Sequence, residues 1–120
     1  MAFELFDLTG KRAFITGSSQ GIGFGLAQGL AEHGAEIVLN GRDEAKLKTA
    51  AATLASAGHK VSVSGFDVTK APAAKDGVDA IEKNIGPIDI LINNAGMTFR
   101  APLEDFPVER WDQTCVWCGL

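Results

Sequence analysis

Short apolar runs and segments of helical periodicity take turns along most of this chain, and no other feature restricts the fold as much. Alternation of that kind builds βα units, whose strands lie parallel, rather than hairpins. Residues 12–16 form the first expected strand, with Ala13, Phe14 and Ile15 in its middle. A helix over 22–33 follows, with Ile22, Leu26 and Leu30 as its apolar face and Gly34 where a left-handed cap belongs. The second strand spans 36–40, and Asp43 then caps a helix reaching residue 57, its inner face Leu47, Ala51 and Leu54 and its stop Gly58. A third strand over 60–66 alternates Val61 and Val63 before Phe66. Thr69 opens the next helix, with Val78, Ile81 and Ile85 on one side and Pro72 in the first turn, while Gly77 weakens its middle. Gly86-Pro87 closes it. The fourth strand, over 88–93, is almost wholly apolar, as a strand covered on both faces should be. After Gly96 the pattern loosens into a loop over 98–104 and the start of a helix over 106–113. Four parallel strands with right-handed crossovers make half of a Rossmann-type doubly wound α/β sheet, whose complete form has about six. The 120 residues amount to one domain, incomplete at its C-terminus, with an atypical tail over 114–120.

Composition removes several function classes. Eleven Lys and Arg against fifteen Asp and Glu give a net charge of −4, so the basic footprint of a nucleic-acid or anionic-lipid binder is absent. No apolar run approaches the ~20 residues of a membrane span, and no basic segment precedes an apolar one at the start, so neither an anchor nor a secretory signal is expected. Two cysteines, Cys115 and Cys118, make no disulfide framework and point to a reducing cytoplasmic setting. Their spacing also fits half of a zinc site or a redox pair, but His33 and His59 would have to complete the ligand set from distant segments, so no metal site is assigned.

Chemistry is concentrated in the turn between the first strand and the first helix, Thr16-Gly17-Ser18-Ser19-Gln20-Gly21-Ile22-Gly23. Gly17 lets the chain leave the strand, Gly21 lets the backbone approach a pyrophosphate, and Gly23 permits close packing of the helix. Free N–H groups at the helix start then face the anion. The spacing G-x3-G-x-G departs from the strict dinucleotide fingerprint, and two glycines in a strand–helix turn can serve shape alone. At the end of the second strand, where an acid would accept from ribose hydroxyls, stands Asn40-Gly41-Arg42. Arg42 suits a 2′-phosphate and so favours NADP, with NAD the other possibility; otherwise it is a solvated loop residue, and Asp43 beside it is an acid. Asp67 and Val68 would reach the adenine, or begin a turn with Thr69. Asn93-Asn94-Ala95-Gly96 follows the fourth strand at the sheet's carboxyl edge, where ligands bind in open α/β folds.

In this order and spacing, these residues resemble the cofactor half of the short-chain dehydrogenase/reductase family over roughly residues 5–113. Loop segments such as Leu8-Thr9-Gly10-Lys11 and Phe99-Arg100-Ala101-Pro102 look most similar to the gluconate 5-dehydrogenase members of that family. The resemblance implies that Gly17, Ser19, Gln20, Gly21, Ile22 and Gly23 cradle the cofactor's phosphates. It places Arg42 at the ribose phosphate, Asp67 and Val68 at the adenine, and Asn94, Ala95 and Gly96 at the nicotinamide-side ribose, with Asn93 tying the central strands together. It implies interconversion of a small polar alcohol and a ketone, gluconate and 5-ketogluconate foremost, by a homo-oligomeric parent. Arg100 is a candidate for a substrate carboxylate, or else a solvated loop charge.

The family's reaction needs a tyrosine to exchange a proton with the developing alkoxide, and this chain contains none. No catalytic residue is therefore assigned. Trp111-Asp112-Gln113 still fits the family, but residues 114–120 do not and read as a premature end, by truncation or frameshift. The expected function is the NADP(H)-binding portion of a short-chain oxidoreductase, inactive alone. Two competing readings are a non-catalytic nucleotide-binding or interaction module and a flavodoxin-like mononucleotide binder. Half a sheet would leave an open strand edge and uncovered apolar faces, so the portion by itself is expected to aggregate or stay molten.

Overall fold

The apolar runs become four strands in the computed structural model, which describes residues 4–96 and 101–112: Arg12–Ile15 (β1), Glu36–Gly41 (β2), Val61–Gly65 (β3) and Ile90–Ile92 (β4). Three helices connect them, Gly21–Glu32 (α1), Glu44–Ser56 (α2) and Ala71–Asn84 (α3). All strand pairs are parallel and the order is β3-β2-β1-β4, as the alternation requires. Single 3₁₀ turns lie at Glu4–Phe6 and Leu103–Asp105, and residues 108–112 are helical.

Side chains alternate across the sheet, so each central strand feeds two cores. Ala13, Ile15, Ile37 and Leu39 face α1 and α2, where they bury Ala27, Ala31, Leu47 and Leu54. Phe14 and Val38 point the other way and pack on Ile81 of α3, with Phe66, Val78 and Ile85 at the margin. β1 and β2 are thus covered on both faces. β4 departs from expectation here: it has three residues rather than six, and Leu91 keeps 53% of its surface exposed. Leu91 is the partner of Phe14 in the ladder and so shares its face, but α3 lies toward β3 on that side and does not cover it.

The inward side of α1 also differs from the periodicity reading. Ile22 and Leu26 are exposed, at 79% and 39%, and the buried residues are Gly23, Ala27 and Ala31. Spacing i, i+4, i+8 occurs twice on this helix, once in large residues and once in small ones. The small stripe wins because it lets the helix axis approach the sheet, which a stripe of branched side chains would hold away. α2 follows its sequence more closely: Asp43 Oδ1 accepts from the N–H groups of Ala45 and Lys46 at 3.0 and 3.2 Å, and Leu47, Ala50 and Leu54 are buried. Ala51 is only partly so. α3 begins at Ala71, and Lys70, not Thr69, stands at its N-cap without a side-chain bond. Gly77 in its middle has a packing reason, since a Cβ there would strike the Phe66 ring.

Opposite the site, Arg12 stitches the amino ends of the strands. Its guanidinium donates to Glu36 Oε2 at 3.0 Å and to the Pro87 carbonyl at 2.9 Å, and its N–H donates to Asp89 Oδ2 at 2.9 Å. Among the described residues, no helix is long and apolar enough to cross a membrane.

Candidate functional site

β1 has β2 on one side and β4 on the other, so the chain leaves its carboxyl end toward both halves of the sheet and a crevice opens there. The glycine turn fills that position. Gly17 has φ +60°, a left-handed backbone, and a Cβ on it would lie 3.0 Å from Ala95 Cα. Gly21 also has a left-handed φ, +64°, yet a Cβ on it would meet nothing within 4 Å, so the space in front of it is open. Gly23 is the reverse case: a Cβ would sit 2.5 Å from both Asn94 Nδ2 and the Gly17 carbonyl oxygen. The three glycines thus serve a turn, an open approach and a close contact. That last contact is with the turn and the β4 end rather than with the body of a strand.

The start of α1 differs from that of α2. Its N-cap, Gln20, makes no side-chain bond to the helix, and no acid stands in the first turn. Among the described residues, neither the cap nor the first turn of α1 supplies an acid to its positive end, whereas the Asp43 carboxylate does so for α2. A helix start left bare behind glycines is suited to an anion supplied from outside. This donor arrangement fits a dinucleotide's diphosphate.

A buried polar network holds the turn in this shape. Asn40, 1% exposed at the end of β2, accepts the Gly17 N–H on Oδ1 at 3.1 Å and donates through Nδ2 to the Ser64 carbonyl at 3.0 Å. Its N–H donates to Ser18 Oγ at 3.0 Å, and its carbonyl accepts the Ser18 N–H at 2.8 Å. Ser18 Oγ in turn donates to the Ile15 carbonyl at 2.7 Å. On the other side, Thr16 Oγ1 accepts the N–H groups of Asn94 and Ala95, both at 3.0 Å. Asn94 Nδ2 donates to the carbonyls of Thr16 and Gly17 at 3.2 and 3.1 Å. The tie between central strands that the family resemblance gave to Asn93 is made in this structure by Asn94.

Beside the turn lies a cleft of about 560 Å³, within the range of small-molecule sites. It brings together Gly17, Ser19, Gln20, Arg42, Val68 and Ala95 of the expected residues, and adds Asn40, Gly41, Asp43, Lys46 and Phe66. Gly21 lines an adjoining groove between α1 and α2, while Ile22, Gly23, Asp67, Asn94 and Gly96 line neither. Asp67 nevertheless acts on the cleft: its Oδ2 stands 3.9 Å from Arg42 Nη1. Its Oδ1 accepts the Thr69 hydroxyl at 2.6 Å and the Thr69 N–H at 2.9 Å, so the local turn is real as well. The Thr69 hydroxyl bond, chiefly, holds the Asp67 carboxyl below its ordinary value, with Arg42 adding to the effect. Sequence reasoning gives Asn40 only the part of a neutral neighbour to Arg42 that tolerates a 2′-phosphate and misses its scaffold role. A polar side chain ending a run of Ile37, Val38 and Leu39 was its signal, since a buried carboxamide must be satisfied. Arg100, Cys115 and Cys118 lie outside the described residues, as does the 114–120 tail.

A parallel sheet wound both ways from β1, with a glycine turn entering a helix at the switch point, is a Rossmann-type α/β fold. The short chain dehydrogenase family model matches residues 11–116, and the chain belongs to that family. It is 55% identical over 109 residues to the gluconate 5-dehydrogenase of Gluconobacter oxydans, covering 91% of this chain and 43% of the relative. The 5-keto-D-gluconate 5-reductase of Escherichia coli is 43% identical over the same coverage. Among solved structures, a gluconate 5-dehydrogenase from Burkholderia cenocepacia in complex with NADP and tartrate superposes with a TM-score of 0.89 at 44% identity, covering 93% of this chain and 44% of that one. The chain therefore spans less than half the length of the relatives it matches.

Proposed function

We propose that this chain is the NADP(H)-binding portion of a short-chain oxidoreductase that interconverts a secondary alcohol and a ketone, with gluconate and 5-ketogluconate as the pair. The observation that carries the reading is the bare start of α1 behind Gly17, Gly21 and Gly23. Gly21, Ile22 and Gly23 would offer their N–H groups to the diphosphate, with Ser19 and Gln20 at its flank. Arg42 would take the 2′-phosphate, Val68 and Asp67 the adenine side, and Asn94, Ala95 and Gly96 the second ribose. Nicotinamide, when bound, supplies or accepts the hydride. The gluconate pair is supported by the activities for which the two relatives are named, and NADP by the neighbouring structure that holds it.

A hydride leaving the cofactor needs a proton for the alkoxide, and this chain has no tyrosine to give one. The proposal accordingly has the chain bind nucleotide and not turn substrate over by itself. It includes a homo-oligomeric parent in a cytoplasmic setting. Titration with NADPH, followed by fluorescence or calorimetry, is expected to show saturable binding. A parallel assay with gluconate and NADP is expected to show no hydride transfer. An absence of nucleotide binding overturns the proposal, and turnover overturns its claim of inactivity.

The lack of tyrosine beside an intact cleft also favours a second reading, a nucleotide-binding module with no chemistry of its own. That module would stay monodisperse at high concentration. The oxidoreductase portion, folded and nucleotide-binding when dilute, would aggregate on concentration through its open strand edges, so sedimentation over a concentration series separates the two.

A further inference from the structure

We infer that the groove between α1 and α2 is a binding site for a small amphipathic anion, a medium-chain carboxylate whose head meets Lys46 and whose tail lies along the two helices. The groove has a volume of about 510 Å³, in the range of small-molecule sites. It is a separate space from the nucleotide cleft, although Ser19, Gln20 and Lys46 form a wall common to both. Its occupant needs no nucleotide next door, so the site stands apart from the nucleotide-binding reading.

The walls are more apolar than their sequence suggests. Phe24 of α1, packed at the margin of the core, faces Ala45 and Ala50 of α2 across the groove. Thr49 and Thr53 also line it, but their hydroxyls donate within the helix to the carbonyls of Ala45 and Thr49, both at 3.0 Å. A threonine hydroxyl turned back in this way leaves the methyl as the surface a ligand meets. Charge, by contrast, is of one sign. Among the described residues that line the groove, Lys46 alone is charged, and it forms no ion pair. The acids just before it, Asp43 and Glu44, do not line the groove. Gln20 makes no side-chain bond to the helix it caps, and the positive end of the α1 dipole lies beside it.

The polar and apolar parts are ordered along the helices. Gln20 and Lys46 stand at the helix starts, Phe24 and Ala50 about one turn further in, and Thr53 about two. From Lys46 to Thr53 is about 10 Å of helix, a length that an octyl chain spans. An anionic head at the open end and an alkyl chain along the rest satisfy both halves of the lining. A bare inorganic anion would leave the apolar walls wet, and a neutral alcohol would leave Lys46 unpaired.

The test titrates octanoate into the dilute, isotope-labelled 120-residue chain and follows amide shifts by NMR. Shifts are expected to cluster in residues 20–24 and 46–53. Affinity should rise about two- to fourfold for each methylene from hexanoate to octanoate, as burial of the chain dictates. Lys46→Gln should weaken octanoate about threefold, the scale of an exposed ion pair. Thr49→Glu sets a carboxylate in the groove one turn from Lys46 and should abolish saturable binding with the far-UV circular dichroism unchanged. Thr49→Val keeps the methyl, drops the hydroxyl and should retain affinity within about twofold. Shifts centred on Val63 or Leu91, octylammonium binding as tightly as octanoate, or a Thr49→Glu chain that binds as wild type each overturns the inference. So does a large loss of affinity in Thr49→Val.

Discussion

Asn40 carries more of the site than its place in an apolar strand suggests. Its carboxamide and its main chain together reach Gly17, Ser18 and Ser64, so one residue joins the glycine turn to two strands. Asn40→Ala leaves the Gly17 N–H and the Ser64 carbonyl without their carboxamide partner in a partly buried setting. We expect a loss of about 1 kcal/mol in urea denaturation, the lower end of the range for an orphaned polar group. NADPH affinity should fall with it, because the turn loses its inner clamp. The glycines could be read from sequence because their reasons are local: position after a strand, position before a helix. The reach of Asn40 could not, since its partners lie 22 to 26 residues away and only β-sheet register brings them together.

At the scale of elements, periodicity located the four strands and three helices in the right order but judged the face of α1 by size alone. α1 carries a large stripe and a small one, and the small one faces the sheet. Nothing in the spacing ranks them; the distance between helix axis and sheet does, and that is a property of packing. α3 poses the matching problem at Gly77, which sequence marks as a weakness. Alanine there raises intrinsic helix propensity by about 1 kcal/mol, yet its methyl would strike Phe66, which also stacks beside Phe14 with ring centroids 6.0 Å apart. Gly77→Ala is therefore expected to lower the melting temperature rather than raise it. A rise would mean that the Phe66 ring moves aside freely. The ends of β4 were overread for a related reason: an apolar run shows that a segment can be buried, not how many of its residues pair.

Over the whole molecule, both central strands are sealed and both outer ones are partly bare. Val63 of β3 and Leu91 of β4 are exposed at 44% and 53%, and Ile22 and Leu26 add apolar surface on α1. Surface of this kind recruits hydrophobic dyes and other copies of the chain. Leu91→Lys should reduce dye binding and the loss of material on concentration while leaving the far-UV circular dichroism unchanged. An unchanged dye signal would assign the stickiness to α1 instead.

The Asn94 clasp has a consequence that reaches past the cleft. Because one carboxamide two residues beyond β4 grips the carbonyls of Thr16 and Gly17, loosening of the glycine turn and fraying of that strand's terminus are coupled. Local opening of the two segments is then a single cooperative event. Nucleotide seated at the glycine turn should slow amide hydrogen exchange along Ile90–Ile92, and Asn94→Ala should abolish that protection while the turn's own amides remain shielded.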